Sequence, residues 1–218
     1  MKEPAFRLRD FAALLVASSR YNLSFVMSSP LAAAIANLCS TESSTRFGAA
    51  SEIYRRGRSL ADEATASWRN NPELSTLLGL DNTAVTVGLA VEPATFARIR
   101  EANGSPRLAD VPPDQDAQEF ELHFPDGVAL DVLATREPGG TGAIARYLSK
   151  LGEGIQQVEY RCGDVDRATA ILKEKFGVAP VYPETRPGAD GTRINFFLVP
   201  QNTREKVLIE LYEIARAK

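Results

Sequence analysis

The sequence predicts an α+β protein: an all-helical N-terminal domain over residues 1–80, then a second domain over 83–216 built from two βαβββ units, 83–137 and 155–213. Three observations lead there. Apolar residues in the front block recur at helical spacing, and from Thr83 onward they form short β-rich runs. The order strand, helix, strands then occurs twice, with helix stops at Gly104 and Gly177. A period of that length marks a duplicated module and not a solenoid.

In the front block, Phe6, Phe11, Leu14 and Leu15 share one helical face. Ser29 followed by Pro30 reads as an N-cap and first-turn proline for a helix over Leu31 to Leu38. A longer helix is expected from Ser44 to Trp68, with Phe47, Ala50, Ile53 and Tyr54 on one face. Arg55, Arg56 and Arg58 lie on another, which reads first as a solvated face and second as an anion or partner site. Asn70-Asn71-Pro72 ends this helix, and a short one from Glu73 to Leu78 closes at Gly79.

The first βαβββ unit opens on the strand Val85 to Val91 and a helix carrying Phe96, Ile99 and Ala102. It continues in strands Glu119 to Phe124 and Val128 to Thr135, joined by the turn Pro125-Asp126-Gly127. The second opens on Gln157 to Arg161, with Asp164 capping a helix that carries Val165, Ala168, Leu172 and Phe176. Its strands run over Arg193 to Val199 and Lys206 to Tyr212. Between the units, Gly139-Gly140-Thr141-Gly142 is a flexible connection without the lysine of a phosphate loop, and Ala143 to Leu151 a short helix.

Composition narrows the function classes. A net charge of −3 with no long basic block gives no footprint for nucleic acid. The most apolar stretch, Leu23 to Cys39, is interrupted by Ser28, Ser29 and Pro30 and is too short to span a bilayer. Two distant cysteines, Cys39 and Cys162, make neither a zinc motif nor a disulfide framework. Buried free thiols and a cytoplasmic location are expected.

The chemistry-bearing signal is a carboxylate set in each of two apolar strands, Asp131 within Val128 to Leu133 and Glu210 within Val207 to Tyr212. A carboxylate on a buried strand face is costly unless a metal, a cation or hydrogen-bond donors accompany it. Two such placements in matching strands suggest one pocket shared by two half-domains. For Glu210 the plainer alternative is an ion pair with an arginine such as Arg193. Glu119, Glu121 and His123 share a strand face opposite Phe120, Leu122 and Phe124. If that face is concave, Glu119 is a second acid/base; the same alternation also fits a strand half in water. Arg186 to Gly191 reads as a β-turn connection.

Four runs carry a family likeness: Gly152-Glu153-Gly154-Ile155-Gln156-Gln157-Val158, Asp164-Val165-Asp166-Arg167-Ala168, Glu184 to Phe196, and Val207-Leu208-Ile209-Glu210-Leu211. Together they resemble the second half of the methylmalonyl-CoA epimerases, in the vicinal oxygen chelate (glyoxalase-like) superfamily. The resemblance runs more weakly back to Thr83 and leaves the helical block without a counterpart. It implies an eight-stranded open cup with a divalent metal, Mg, Mn, Co or Zn, on its concave side. Its four ligand positions fall on Thr86, Asp131, Gln157 and Glu210. Both family histidines are replaced, by Thr86 and Gln157, leaving an oxygen-rich set suited to hard cations.

The function this resemblance implies is a metal-dependent isomerase or lyase acting on a small acyl thioester or keto acid, with Glu210 and Glu119 as the acid/base residues. The alternative is a non-catalytic cup that binds or sequesters a small molecule. In a third reading the helical block packs over the cup or pairs two chains into a homodimer.

Overall fold

The computed structural model describes residues 29–81, 84–201 and 206–214. The expected helix around Phe6 to Leu15 and the start of the apolar stretch at Leu23 lie outside these residues. Helix α1 (Pro30–Asn37) begins as its sequence demands: Ser29 Oγ accepts the Ala32 N–H at 3.1 Å and Pro30 sits in the first turn. Helix α2 (Ser43–Thr65) ends three residues before the expected Trp68 and tightens into a 3₁₀ turn, Ala66–Asn70. The tighter turn rolls Trp68 inward until it is only 1% exposed. Helix α3 (Pro72–Leu78) is capped by Asn71, whose side chain accepts from Leu74 N at 2.9 Å, and stops at Gly79 in the left-handed conformation.

The sheet follows. Strand β1 (Thr86–Ala90) leads through α4 (Pro93–Ala102) to β2 (Gln118–His123) and β3 (Ala129–Ala134). Helix α5 (Ala143–Leu151) connects to β4 (Gly154–Arg161), α6 (Val165–Phe176), β5 (Arg186–Pro187), β6 (Thr192–Pro200) and β7 (Lys206–Ile214). The strands form one curled, half-barrel sheet in the order β2-β3-β1-β4-β7-β6-β5. Strand β1 pairs parallel with β3, and β4 parallel with β7. The antiparallel pair β1–β4 joins the two arrangements at the centre.

Seven strands occur among the described residues where eight were expected. The difference lies after α4. That segment carries Pro106, Pro112 and Pro113, which have no backbone donor, and it meets the sheet through the bond from Ala109 N to Glu119 O, 3.0 Å. In the second half the corresponding place is taken by β5, only two residues long.

The two faces of the sheet differ in kind. Val87 and Leu89 of β1 point to the helices; Thr86, Gly88 and Ala90 point to the other face. One continuous hydrophobic core joins Ala50, Ile53, Trp68 and Leu74 of the helices to Val87, Leu89, Val132, Val158, Phe197 and Ile209 of the strands. Buried Tyr160 on β4 places its hydroxyl 3.4 Å from Thr65 Oγ1 at the end of α2. On the opposite face, α5 packs Ile144 and Leu148 against Ala90 and Leu133 and closes one end of the concavity.

The approach of α2 to β1 depends on Gly57: a Cβ there would stand 2.5 Å from Val87 Cγ1. Gly57→Ala is therefore expected to destabilise the fold by about 1–3 kcal/mol through overpacking. Gly48→Ala, on an exposed turn of the same helix with nothing near, is expected to stabilise by roughly 0.5–1 kcal/mol. Thermal melting of the two variants beside the parent checks both signs.

Candidate functional site: a carboxyl-lined cavity on the concave face

Alternation along each strand decides which residues meet in the concavity. On β2, Phe120 and Leu122 go to the core while Glu119, Glu121 and His123 face the open side. Asp131 lies directly across from Glu121 in the β2–β3 register. On β4, Gln157 and Glu159 share the concave face and Val158 and Tyr160 the core. Glu210 is the register partner of Glu159 across the parallel β4–β7 pair. The result is a cavity of about 420 Å³ lined by Glu119, Glu121, Asp131, Gln157, Glu159 and Glu210, with Tyr182, Phe196 and Tyr212 on one wall.

Gly88 makes the central contact. It lies between Asp131 on one side and Gln157 on the other. A Cβ at Gly88 would stand 2.4 Å from Gln157 Cγ, so only glycine leaves room for that side chain to fold over β1. From there Gln157 Nε2 donates to Glu210 Oε2 at 2.6 Å and to Glu159 Oε1 at 3.1 Å. One amide thus ties together two carboxyls from neighbouring strands.

Electrostatics follow from burial and from like charge. Burial, and then the charges of Asp190 and Glu121, lift Glu119 to about 7, with Arg136 opposing. Burial lifts Glu159 to about 8; the hydrogen bonds with Gln157 and Asp131 oppose that rise, and the Glu119 and Glu121 charges add to it. Asp131 and Glu210 are raised well above the carboxylate range, first by burial and then by Glu159 and Glu119. The Glu119 charge is felt at Glu210, on the far side of the cavity, because the sheet curls.

Two loops roof the cavity. Segment 105–117 and the turn around Asp190 are joined by Arg107, which donates to both Asp190 carboxylate oxygens. Asp110 N also donates to Asp190 Oδ1 at 2.9 Å, and Gln115 Nε2 to Pro187 O at 3.0 Å. Arg186 pairs with Asp114 along the same seam and lies 4.7 Å from the centre of the Tyr182 ring.

Of the residues expected at a site, Asp131, Gln157, Glu210 and Glu119 line this one cavity. Thr86 does not line it; it lies in β1 opposite Glu159 and is buried. The ion pair expected as the plainer role of Glu210 is not made: Arg193 points to the other face and bonds Asp166, at 2.6 Å, and Glu213. Glu159 is a site residue that the sequence does not single out: Gln156, Gln157 and Arg161 make its strand polar, and its burial shows only in the fold.

The residues present do not form the expected metal-ligand set. The Gln157 amide presents N–H groups to Glu159 and Glu210, Thr86 is outside the cavity lining, and no cluster of three or more His, Cys, Asp or Glu suited to an ion occurs among the described residues.

Comparison with known proteins agrees with this architecture. No protein-family profile and no curated protein matches the chain. Among solved structures, methylmalonyl-CoA epimerase from Mycobacterium tuberculosis is 32% identical, covering 60% of this chain and 87% of that one, with a TM-score of 0.49. A Streptomyces coelicolor methylmalonyl-CoA epimerase variant in complex with 2-nitronate-propionyl-CoA is 28% identical over 60% of this chain and 96% of that one, TM-score 0.47. A hypothetical protein from Bacillus halodurans, 22% identical over 62% and 99%, TM-score 0.50, shares the fold. By identity and coverage, the chain belongs to the vicinal oxygen chelate (glyoxalase-like) proteins. The relatives it matches there are methylmalonyl-CoA epimerases.

The raised carboxyls make stability depend on pH with a definite sign. A folded-state pKa of about 8 for Glu159 and about 7 for Glu119, against an ordinary 4.5, means the folded protein holds protons that the unfolded chain has released. That contribution is complete below pH 4.5 and is lost as pH rises through about 8. Carboxyls held below their usual range, such as Glu73 beside Arg167, have delivered their share by pH 5. Melting temperature is expected to fall between pH 5 and 8.5, and Glu159→Gln to flatten that fall, in scanning calorimetry at fixed ionic strength.

Proposed function

We propose that the protein is a glyoxalase-like isomerase that moves a proton on a carbon next to a carbonyl in a small acyl thioester or keto acid. Glu119 and Glu210 act as the acid/base pair. The observation that carries the reading is the placement of these two carboxyls. They rise from β2 and β7, strands separated by three others, and the curl of the sheet turns both into one cavity. Inversion at carbon needs a base on one face and an acid on the other, and two flanks of one cavity supply them. A carboxyl held near neutrality exists in both forms at working pH, as a proton carrier must.

In this reading Gln157 positions Glu210, since its amide fixes the Oε2 oxygen at 2.6 Å. Glu159 supplies burial and charge that keep Glu210 raised. The roof of segment 105–117 excludes water once a substrate is seated. The epimerase relatives support the choice of an α-proton as the one moved. Thr86, Asp131, Gln157 and Glu210, the four positions implied for a divalent cation, do not make a ligand set, and the proton transfer proposed rests on the carboxyls. A homodimer through the helical layer and a cytoplasmic location remain part of the proposal.

The test is solvent exchange. Methylmalonyl-CoA and a set of short acyl thioesters and 2-keto acids are incubated with the protein in D₂O, and loss of the α-proton signal is followed by NMR. Exchange of at least one substrate is expected, and Glu119→Gln and Glu210→Gln are each expected to slow it by about 10²–10⁴-fold, with folding checked by melting. Binding without exchange in the parent would assign the cup to sequestration instead.

A further inference from the structure

A second cavity, of about 330 Å³, is walled by α5 and by β4, β6 and β7. Its size lies within the range of small-molecule sites. It differs from the carboxyl-lined cavity in charge. Its described lining carries Arg146, Lys150 and Lys206 and no Asp or Glu, and Tyr147, Ile155, Leu198 and Leu208 give it broad apolar walls. Ala143, Gln156, Gln157 and Leu208 are common to both cavities and form the partition between them.

Two buried polar groups in this lining have no partner in the protein. Arg146 Nη1 donates to Thr141 O, while Arg146 Nη2 is buried and bonds nothing. Arginine keeps its charge at any pH the fold meets, so this N–H group cannot be relieved by losing a proton. A buried cationic edge of that kind calls for an anion. Gln156 is the second group. Strand β1 sets Gly88 opposite Gln157 and Leu89 opposite Ile155, so Gln156 is the extra residue of a β-bulge, a device that re-aims a side chain. Its Oε1 is buried without a partner in the partition, and the same amide has N–H groups to offer a ligand. The wall itself is firmly set: Tyr147 Oη donates to Ile155 O at 2.8 Å, and a Cβ at Gly154 would stand 2.9 Å from that hydroxyl.

We infer that this second cavity binds the carboxylate of a medium-chain aliphatic acid, with Arg146 Nη2 donating to the carboxylate and the chain lying against Tyr147, Ile155, Leu198 and Leu208. One open guanidinium edge suits one carboxylate oxygen, whereas a phosphate group would need a fuller set of donors. Lys206, half-buried in the same lining, adds positive charge, and the apolar walls stabilise the chain by taking it out of water. The carboxyl-lined cavity offers such a head group nothing comparable, because Arg107, the one Lys or Arg in its described lining, is held by Asp190 at both carboxylate oxygens. The site stands apart from the proton-transfer reading, and neither depends on the other.

Isothermal titration of the full chain with sodium octanoate, beside octan-1-ol, octylammonium chloride, sodium acetate, sodium phosphate and coenzyme A, tests the inference. Octanoate is expected to bind about tenfold or more tightly than octan-1-ol and octylammonium, with acetate and phosphate weaker still. Arg146→Gln is expected to weaken octanoate by about tenfold or more and to leave octan-1-ol unchanged. Should that variant not melt like the parent, Lys206→Gln is expected to weaken octanoate about two- to threefold. Octanoate binding no more tightly than octan-1-ol would overturn the inference. So would octanoate binding that neither substitution weakens, or coenzyme A or phosphate binding through Arg146 where octanoate does not. Exchange of α-protons is read with other substrates, so octanoate binding without exchange removes the proton-transfer reading alone.

Discussion

The missing side chain at Gly88 is the constraint on which the site depends. Strand β1 runs through the middle of the sheet, and any residue larger than glycine there would collide with Gln157. Because nothing is there, the Gln157 side chain packs at Gly88 and gathers Glu159 and Glu210 around one amide. Carboxyls that would otherwise repel one another across adjacent strands are thereby held within a buried space. Their raised proton affinities are the consequence: removing a carboxylate from water disfavours its charge, and each neighbour adds to that.

A polar cluster of this kind needs a rigid floor. The opposite face of the sheet supplies it, with Val87 set against Gly57, Tyr160 against Thr65, and Trp68 turned fully inward. The apolar area covered by α1 to α3 is part of the same core that the strands bury, so the helical layer steadies the strands from behind. At the cavity mouth the ties are of another kind. Arg107–Asp190 and Arg186–Asp114 are exposed ion pairs, weak individually and screened by salt. A rigid floor beneath a loosely tied roof suits a site that must admit a ligand and then exclude water.

Much of this organisation could be read in the sequence because local signals and tertiary needs agree. Ser29-Pro30, Asn71-Pro72 and Asp164 start helices where their chemistry requires, and Gly79 and Gly177 stop them. Asp131 and Glu210 stood out because a single charge in an apolar strand has few explanations. Pairing sets the facing of Asp131: opposite Glu121, it shares the concave side. What escaped detection depended on contacts between distant strands. Glu159 lies in a stretch rich in polar residues, so its burial becomes visible only when β7 is placed beside β4. Gly88 reads as an ordinary strand glycine until Gln157 is seen folding over it. The prolines of segment 103–117 could have warned against an eighth strand, since each removes a ladder donor.

The site requires that these carboxyls share one dry space. Carbon-13 NMR titration of the side-chain carboxyls, assigned by single Glu→Gln substitutions, measures this directly. Glu119 and Glu159 are expected to titrate at about 7 and about 8, well apart from surface glutamates, and replacing either one is expected to shift the other. If every glutamate in the protein instead titrated around its ordinary value of 4.5, with no response to substitution across the cavity, the proposed cluster would not exist.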